Sequence, residues 1–264
     1  MVTVRESEID ELIAFINANY GIDFSDRRAF LQQCAKKAMA RHGYDSFTAC
    51  FEYICTDFSG RLLADFISGI TANVAYFCPD LSYFDFFKTE CLEKHTSSQP
   101  MLILSAGCGT GEEAYTLAML SAGRSQATVL ATDISTTALE RAKQGIYALD
   151  SISNLPADWQ SRFFVPIKDD PEWLKITPEI KSKVTFEKHN LAADGFDPGK
   201  KYHAVFCRDV MMYFDEKTKR ALIGRFYEAL EEGGFLFLGE NETLNENDTA
   251  FKCVKPFIYQ KPKL

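Results

Sequence analysis

The chain has 264 residues, of which 46% are hydrophobic and 25% charged, and its formal net charge at pH 7 is −8. Enough apolar residues are present for one large core and a smaller unit. The negative charge argues against a general nucleic-acid binder, because such proteins use clustered Lys and Arg to displace counterions. No apolar stretch approaches the roughly 18 residues of a membrane span, and no charged-then-apolar leader is visible. We therefore expect a cytoplasmic protein without membrane insertion.

Cysteine and histidine spacing gives no sign of a metal site. The eight cysteines form no C-x-x-C pair, and the four histidines lack the spacing of metal ligands. This pattern favours reduced thiols over disulfides and predicts no bound metal.

Residues 1–94 show helical periodicity and almost no strand signal. The first helical pattern ends before Tyr20-Gly21, and three further patterns cover residues 30–41, 46–55 and 62–70. We predict an N-terminal helical domain over 1–94. The polar stretch 95–100, which ends in Pro100, predicts a linker to a second domain over 101–264.

The second domain begins with residues 101–119, MLILSAGCGTGEEAYTLAM, in which an apolar run leads through glycines into a helical pattern. The alternate glycines are Gly107, Gly109 and Gly111. Without a Cβ they permit sharp turns and a close approach to a ligand. Glu112 and Glu113 occupy the helix start where a dinucleotide fold would place its pyrophosphate. Two carboxylates repel phosphate and attract a cation such as S-adenosylmethionine; the alternative is an ordinary glycine turn before an acidic helix start.

The second predicted strand ends at Asp133, and a helix begins through Ser135 or Thr136. In doubly wound sheets an acid at this place holds a ribose diol. Taken singly, Asp133 is more typical of a turn or a helix cap. Together with the glycine loop, it favours a nucleotide-type cofactor site.

Strands alternate with helices after residue 100, which predicts a parallel sheet covered on both faces. An insertion over 162–183 interrupts this order, with β-type runs at 162–167 and 173–177 that we predict to pair antiparallel, before 184–189 rejoins the main sheet. The remaining predictions are a strand at 204–207, a helix at 216–230 stopped by Gly233-Gly234, a strand at 235–239, and a terminal hairpin that contains the strand 257–260.

Four segments resemble the CheR-type chemotaxis receptor methyltransferases: SAGCGTGEEAYTLAM, ATDISTTALERAKQGIY, FEKHNL and FCRDVMMYFDEKTK. The resemblance implies an α/β fold: a class I S-adenosylmethionine-dependent, Rossmann-like sheet with a small all-helical N-terminal domain and a small antiparallel β insertion. It implies an enzyme that forms methyl esters on glutamate side chains of chemoreceptor cytoplasmic helices and releases S-adenosylhomocysteine.

The same resemblance implies roles for individual residues. Gly107, Gly109 and Gly111 would form the cofactor loop. Glu113 would hold the cofactor's amino group and Asp133 its ribose, while Asn190 and Leu191 would flank the adenine. Arg208 and Tyr213 would line the methyl-transfer site beside Asp209. Without the family pattern, Arg208 is more typical of a salt bridge and Tyr213 of a core aromatic.

The chain departs from the family pattern in four places. Thr71, Asn73, Ala75, Phe77, Cys78 and Pro79 stand where the family has T-x-N-x-T-x-F-F-R, so an expected threonine and arginine are absent. Asp209 replaces an asparagine, and Cys34 replaces an arginine on a helix that keeps Lys36, Lys37 and Arg41. The turn KDDPE of the insertion has fewer glycines than usual.

Because Asp209 adds a negative charge where a carboxylate is to be received, two alternatives stay open. One is a methyltransferase of the same scaffold whose Asp209 accepts a hydrogen bond from an amine, amide or hydroxyl acceptor. The other is a catalytically silent cofactor-binding sensor that works through its helical unit.

Overall fold

The computed structural model describes residues 4–56, 77, 81–95, 99–124, 126–193, 195–245 and 249–263. The predicted helix over 62–70 and residues 71, 73, 75, 78 and 79, which stand where the family has T-x-N-x-T-x-F-F-R, lie outside these ranges.

The N-terminal part is helical, as its periodicity predicts. It contains α1 (Glu6–Tyr20), a 3₁₀ turn (Ser25–Arg27), α2 (Arg28–His42) and α3 (Phe47–Thr56). Gly21 ends α1 with φ +62°, and its N–H donates to the Asn17 carbonyl. The apolar faces of these helices share a core with one face of the sheet described below, so the helical unit has no separate interior.

A second helical segment consists of α4 (Leu81–Phe86) and a π-helical turn (Phe87–Leu92). Its rings pack on the sheet: the Phe87 ring lies edge-on to Phe206, with centroids 5.3 Å apart, and Phe84 stacks on the same ring at 6.1 Å. This packing joins residues 81–92 to the sheet. We therefore propose a domain boundary earlier than the residue 94 predicted from composition.

The rest of the chain alternates strands and helices. In order these are β1 (Met101–Ala106), α5 (Glu112–Leu120), β2 (Ala127–Asp133), α6 (Thr136–Gln144), β3 (Ile146–Ala148), α7 (Ala157–Phe163), β4 (Phe164–Ile167), β5 (Asp170–Ile176), α8 (Pro178–Lys181), β6 (Val184–Lys188), β7 (Tyr202–Cys207), α9 (Glu216–Ala229), β8 (Leu230–Leu238), β9 (Lys252–Lys255) and β10 (Ile258–Gln260).

The main sheet has the strand order β6-β2-β1-β7-β8-β10-β9. The first five strands are parallel, whereas β10 and β9 are antiparallel and form the predicted terminal hairpin. Helices α5 and α6 pack on one face of the sheet, and α9 packs on the other together with the helical unit. The carboxyl ends of β1, β2, β6, β7 and β8 consequently meet at one edge, where open α/β sheets bind ligands.

A separate small sheet has the order β3-β5-β4. The antiparallel pairing of β4 with β5 and the return of β6 beside β2 confirm the prediction for this region. Two details were wrong. Residues 162 and 163 end the helix α7 and are not strand, and the three-residue strand β3 adds a third member from residue 146 onward. A strand of three residues is too short for a period to identify it.

The predicted helix stop at Gly233-Gly234 was also wrong. Helix α9 ends at Ala229, and Leu230 already has an extended backbone at the start of β8. Both glycines lie inside β8, where Gly233 has φ +79° and donates its N–H to the Lys261 carbonyl, while the Lys261 N–H donates to the Gly234 carbonyl. Pairing across the sheet, which local sequence does not encode, overrides the usual meaning of this dipeptide.

Candidate active site

The glycine loop connects β1 to α5 and is held by the end of β2. Gly107 and Cys108 both donate their N–H groups to the Thr132 carbonyl, at 2.7 and 2.9 Å. Gly109 donates to Asp133 Oδ2 at 2.8 Å. The loop is therefore fixed by hydrogen bonds to the neighbouring strand.

All three glycines have positive φ, but they face different surroundings. A Cβ on Gly107 would overlap the Val210 side chain, and one on Gly111 would lie 2.9 Å from the Ala142 Cβ. A Cβ on Gly109, at φ +54°, would meet no atom within 4 Å among the residues that the structure describes. Two glycines thus permit close packing, while the third leaves its outer side open to a ligand.

Asp133 ends β2 and uses both carboxylate oxygens locally. Oδ2 accepts from Gly109, and Oδ1 accepts the Ser135 N–H at 2.8 Å. Ser135 in turn caps α6 by accepting from the Ala138 N–H. Burial raises the pKa of the Asp133 carboxyl, and the backbone N–H groups oppose that shift. A carboxylate offers about four lone-pair sites, so these two hydrogen bonds leave capacity for a hydroxyl.

Glu113, in the first turn of α5, connects two strands. Ser105, in β1, donates its hydroxyl to Oε1 at 2.8 Å, and Arg208, just after β7, places Nη1 3.5 Å from Oε2. The two charged side chains are only 18% and 11% exposed. Burial raises the pKa of the Glu113 carboxyl, and the Arg208 charge and the Ser105 hydrogen bond oppose it. Its neighbour Glu112 is buried and accepts from the Thr110 hydroxyl.

Arg208 lies between this carboxylate and an aromatic wall. Its guanidinium carbon is 5.0 Å from the Tyr83 ring centroid and 6.0 Å from that of Phe84. Its Nε is buried and has no hydrogen-bond partner within the described ranges. The guanidinium is thus oriented by one ion pair and two rings, with donor capacity remaining.

Asp209 has φ +57°, a left-handed conformation that Asn and Asp adopt more readily than most residues. Its N–H donates to Glu242 Oε2 at 3.0 Å, and its carboxylate packs against Gly239 at the end of β8. The turn geometry therefore suits an aspartate as well as the asparagine of the family pattern. The Asp209 charge adds to the upward pKa shift of Glu113, after the larger effect of burial.

Tyr213 is buried where the helical unit meets the sheet. Its carbonyl accepts the Asp23 N–H at 3.0 Å, and the Arg27 guanidinium carbon is 5.4 Å from its ring centroid. An antiparallel bridge between Ile22 and Phe214 continues the contact. The helical unit thereby contributes a cation beside Tyr213.

Asn190 and Leu191 follow β6 and are placed near Asp133 by a hydrogen bond from the His189 N–H to the Asp133 carbonyl. The Asn190 amide donates to the Asn19 carbonyl of α1 and accepts the Ala192 N–H, both at 3.0 Å. Leu191 is buried in the core that the sheet shares with the helical unit. Asn190 therefore spends part of its bonding capacity on the contact between the two parts of the chain.

Three charged residues near these positions were not identified from the sequence: Arg27, Arg225 and Glu242. Arg225, on α9, donates to the Leu191 and Ala192 carbonyls and supports the turn after β6. Glu242 follows the carboxyl end of β8, so the rule that selected Asp133 was a usable signal for it. Nothing in the local pattern distinguishes Arg27 from its neighbours.

Two protein-family models match this chain and together cover most of it. Residues 73–259 match the family model described as "CheR methyltransferase, SAM binding domain", and residues 7–71 match "CheR methyltransferase, all-alpha domain". The chain belongs to the CheR methyltransferase family. The expected family, its class I methyltransferase fold and S-adenosylmethionine as cofactor are thereby confirmed.

Relatives of similar length carry the name chemotaxis protein methyltransferase. The chain is 31% identical to that of Borreliella burgdorferi, over 98% of this chain and 96% of the relative. It is 28% identical to chemotaxis protein methyltransferase 2 of Vibrio cholerae, over 99% and 95%. It is 30% identical to the Escherichia coli protein, over 75% and 70%.

Among the described residues, no helix is long and apolar enough to cross a bilayer. No group of three His, Cys, Asp or Glu side chains in that part of the chain has the arrangement of a metal site.

Proposed function

We propose that the chain transfers the methyl group of S-adenosylmethionine to glutamate side chains on the cytoplasmic helices of chemoreceptors, forming methyl esters in the cytoplasm. The observation that carries this proposal is Arg208, held between Glu113 and the Tyr83 ring with a buried Nε that has no bond in the described structure. The shared name of the relatives, chemotaxis protein methyltransferase, supports a chemoreceptor substrate and favours an active enzyme over a silent sensor.

The cofactor side fits a ligand that carries an ammonium and a ribose. Glu113 is a largely buried carboxylate in the first turn of the helix that follows the glycine loop, and it would bind the ammonium group. Asp133 has lone pairs left for the ribose hydroxyls, and Leu191 with Asn190 would border the adenine. When bound, S-adenosylmethionine supplies an electrophilic methyl group on a sulfonium.

The acceptor side has less chemistry to perform. A glutamate side chain with an ordinary pKa of about 4.3 is already ionised at neutral pH, so it needs no general base. Arg208 would hold one acceptor oxygen through its planar fork, and Tyr213 would close the site beside it. In favourable cases, alignment of this kind lowers an activation barrier by about 7 to 11 kcal/mol. The main task of these residues is orientation and exclusion of water.

The test uses purified chain, methyl-labelled S-adenosylmethionine and membranes that contain a chemoreceptor. We expect labelled receptor whose label is released as methanol by mild alkali, because methyl esters are base-labile. A base-stable label would contradict the proposal in favour of an amine, amide or hydroxyl acceptor. Cofactor binding without any transfer would favour the silent sensor.

A further inference from the structure

Glu242 is a buried carboxylate just beyond the end of β8, only 5% exposed. Its Oε2 accepts two backbone N–H groups, from Gly239 at 2.9 Å and from Asp209 at 3.0 Å. Its Oε1 accepts a third, from Met212 at 3.1 Å. One side chain thus joins the loop after β8 to the loop after β7.

Two of the three donors, Asp209 and Met212, lie within the segment that carries the acceptor-side residues. Arg208 directly precedes Asp209, and Tyr213 directly follows Met212. The bond to Asp209 matters most for geometry, because its left-handed backbone is costly and its N–H would otherwise lose this partner. The Glu242 carboxylate therefore holds the backbone between Arg208 and Tyr213 at two points, the N–H groups of Asp209 and Met212.

The same segment also contacts the cofactor loop. Val210, between the two bonded N–H groups, is the residue that a Cβ on Gly107 would overlap. Movement of this segment would consequently alter the spacing between the glycine loop and the acceptor side. A hydrophobic side chain at 242 would fill the space but leave three N–H groups without this acceptor.

We propose that Glu242 is a positioning residue for methyl transfer, which fixes Arg208 and Tyr213 relative to the cofactor loop through the N–H groups of Asp209 and Met212. This inference rests on the proposed function only in assigning Arg208 and Tyr213 to the acceptor side. Glu242 itself does not contact the reacting atoms in this account.

The test compares Glu242→Gln with Glu240→Gln, a matched loss of one carboxylate on an exposed residue of the same loop. The glutamine is nearly isosteric, but its amide NH₂ group cannot accept a hydrogen bond. We expect kcat at saturating cofactor to fall about tenfold or more, the effect of one lost hydrogen bond to a charged group, with affinity for S-adenosylhomocysteine within about threefold of wild type. Glu240→Gln should match wild type in both.

A double-mutant cycle separates positioning from a general loss of stability. Because Glu242 is proposed to act through Arg208 as well as through Tyr213, the double variant Glu242→Gln with Arg208→Ala should lose less activity than the two single losses combined. Additive losses would overturn the proposal, as would wild-type kcat in Glu242→Gln. If the glutamine variant does not fold, Glu242→Asp keeps the charge on a shorter arm and is expected to lose kcat in the same way.

A measurement without acceptor keeps the inference independent of the proposed function. Amide hydrogen exchange over residues 208–214 should be faster in Glu242→Gln than in Glu240→Gln, because the N–H groups of Asp209 and Met212 lose their acceptor. Unchanged exchange would overturn the proposal even if wild type methylated nothing. Conversely, an inactive wild type with altered exchange in the variant would contradict the proposed function alone.

Discussion

The variant Asp133→Ala tests two roles of this carboxylate, in holding the glycine loop and in binding the ribose of the cofactor. The carboxylate bonds to Gly109 and Ser135 in the protein alone, and it would bond to the ribose when S-adenosylhomocysteine is present. Loss of the ribose bond should weaken binding by about 1.5 to 3 kcal/mol, the value for a hydrogen bond to a charged group. This corresponds to an affinity about 10-fold to 150-fold lower.

Calorimetry with S-adenosylhomocysteine measures this change directly, and thermal unfolding of the protein alone measures the loss of the two local bonds. Asp133→Asn should be intermediate in affinity, because one oxygen remains as an acceptor. Asp158→Ala, which removes an exposed aspartate on α7, is the control and should bind normally. If Asp133→Ala is less stable but binds with wild-type affinity, Asp133 is only a loop and cap residue and the ribose placement is refuted.

Three further predictions concern the charges around the transfer site. Arg208→Ala should spare affinity for S-adenosylhomocysteine but lower turnover about a hundredfold, because one preorganised donor is lost; an unchanged rate would remove Arg208 from the mechanism. Arg27→Ala should lower kcat/KM for the receptor severalfold, because it removes the cation beside Tyr213. Arg28→Ala is the control and should leave kcat/KM unchanged, because the Arg28 guanidinium already pairs with Glu6 and Asp10. Equal effects of the two substitutions in steady-state assays would contradict this prediction. Burial raises the pKa of the Glu113 carboxyl, so affinity for S-adenosylhomocysteine should fall on acidification as that carboxylate takes up its proton. In calorimetry, Glu113→Gln should bind more weakly than wild type and depend less on pH.

The raised pKa values of buried carboxyls also affect the folding stability of the protein without ligand. A carboxyl whose pKa is raised by folding favours the folded state below its unfolded pKa and loses that contribution as the pH rises through the folded value. Glu113 and Asp133 both have this direction. The charged carboxylates therefore cost stability at neutral pH, which a cationic ligand would offset.

Local sequence predicted those parts of the site that follow from strand ends and glycine geometry. Gly107 and Asp133 were identified because a strand, a loop and a helix leave a period that can be counted, and the carboxyl ends of parallel strands meet at one edge. The described helices α1 to α3 were found for the same reason.

Features that depend on pairing across the fold were not predictable in this way. Gly233 looked like a helix stop, but β8 continues through it because β10 and β7 pair alongside. The Glu242 carboxylate accepts hydrogen bonds from N–H groups about thirty positions earlier in the chain. Arg27 contacts the Tyr213 ring only because the helical unit packs beside it. No local period reports such contacts.

The most direct test of the central claim is to locate the methyl group on the acceptor. Receptor methylated by the purified chain would be digested under mildly acidic conditions, which preserve esters, and its peptides sequenced by mass spectrometry. The account predicts the added methyl on glutamate side chains of the cytoplasmic helices. Methyl groups on lysine, amide or hydroxyl side chains, with unmodified glutamates, would contradict it.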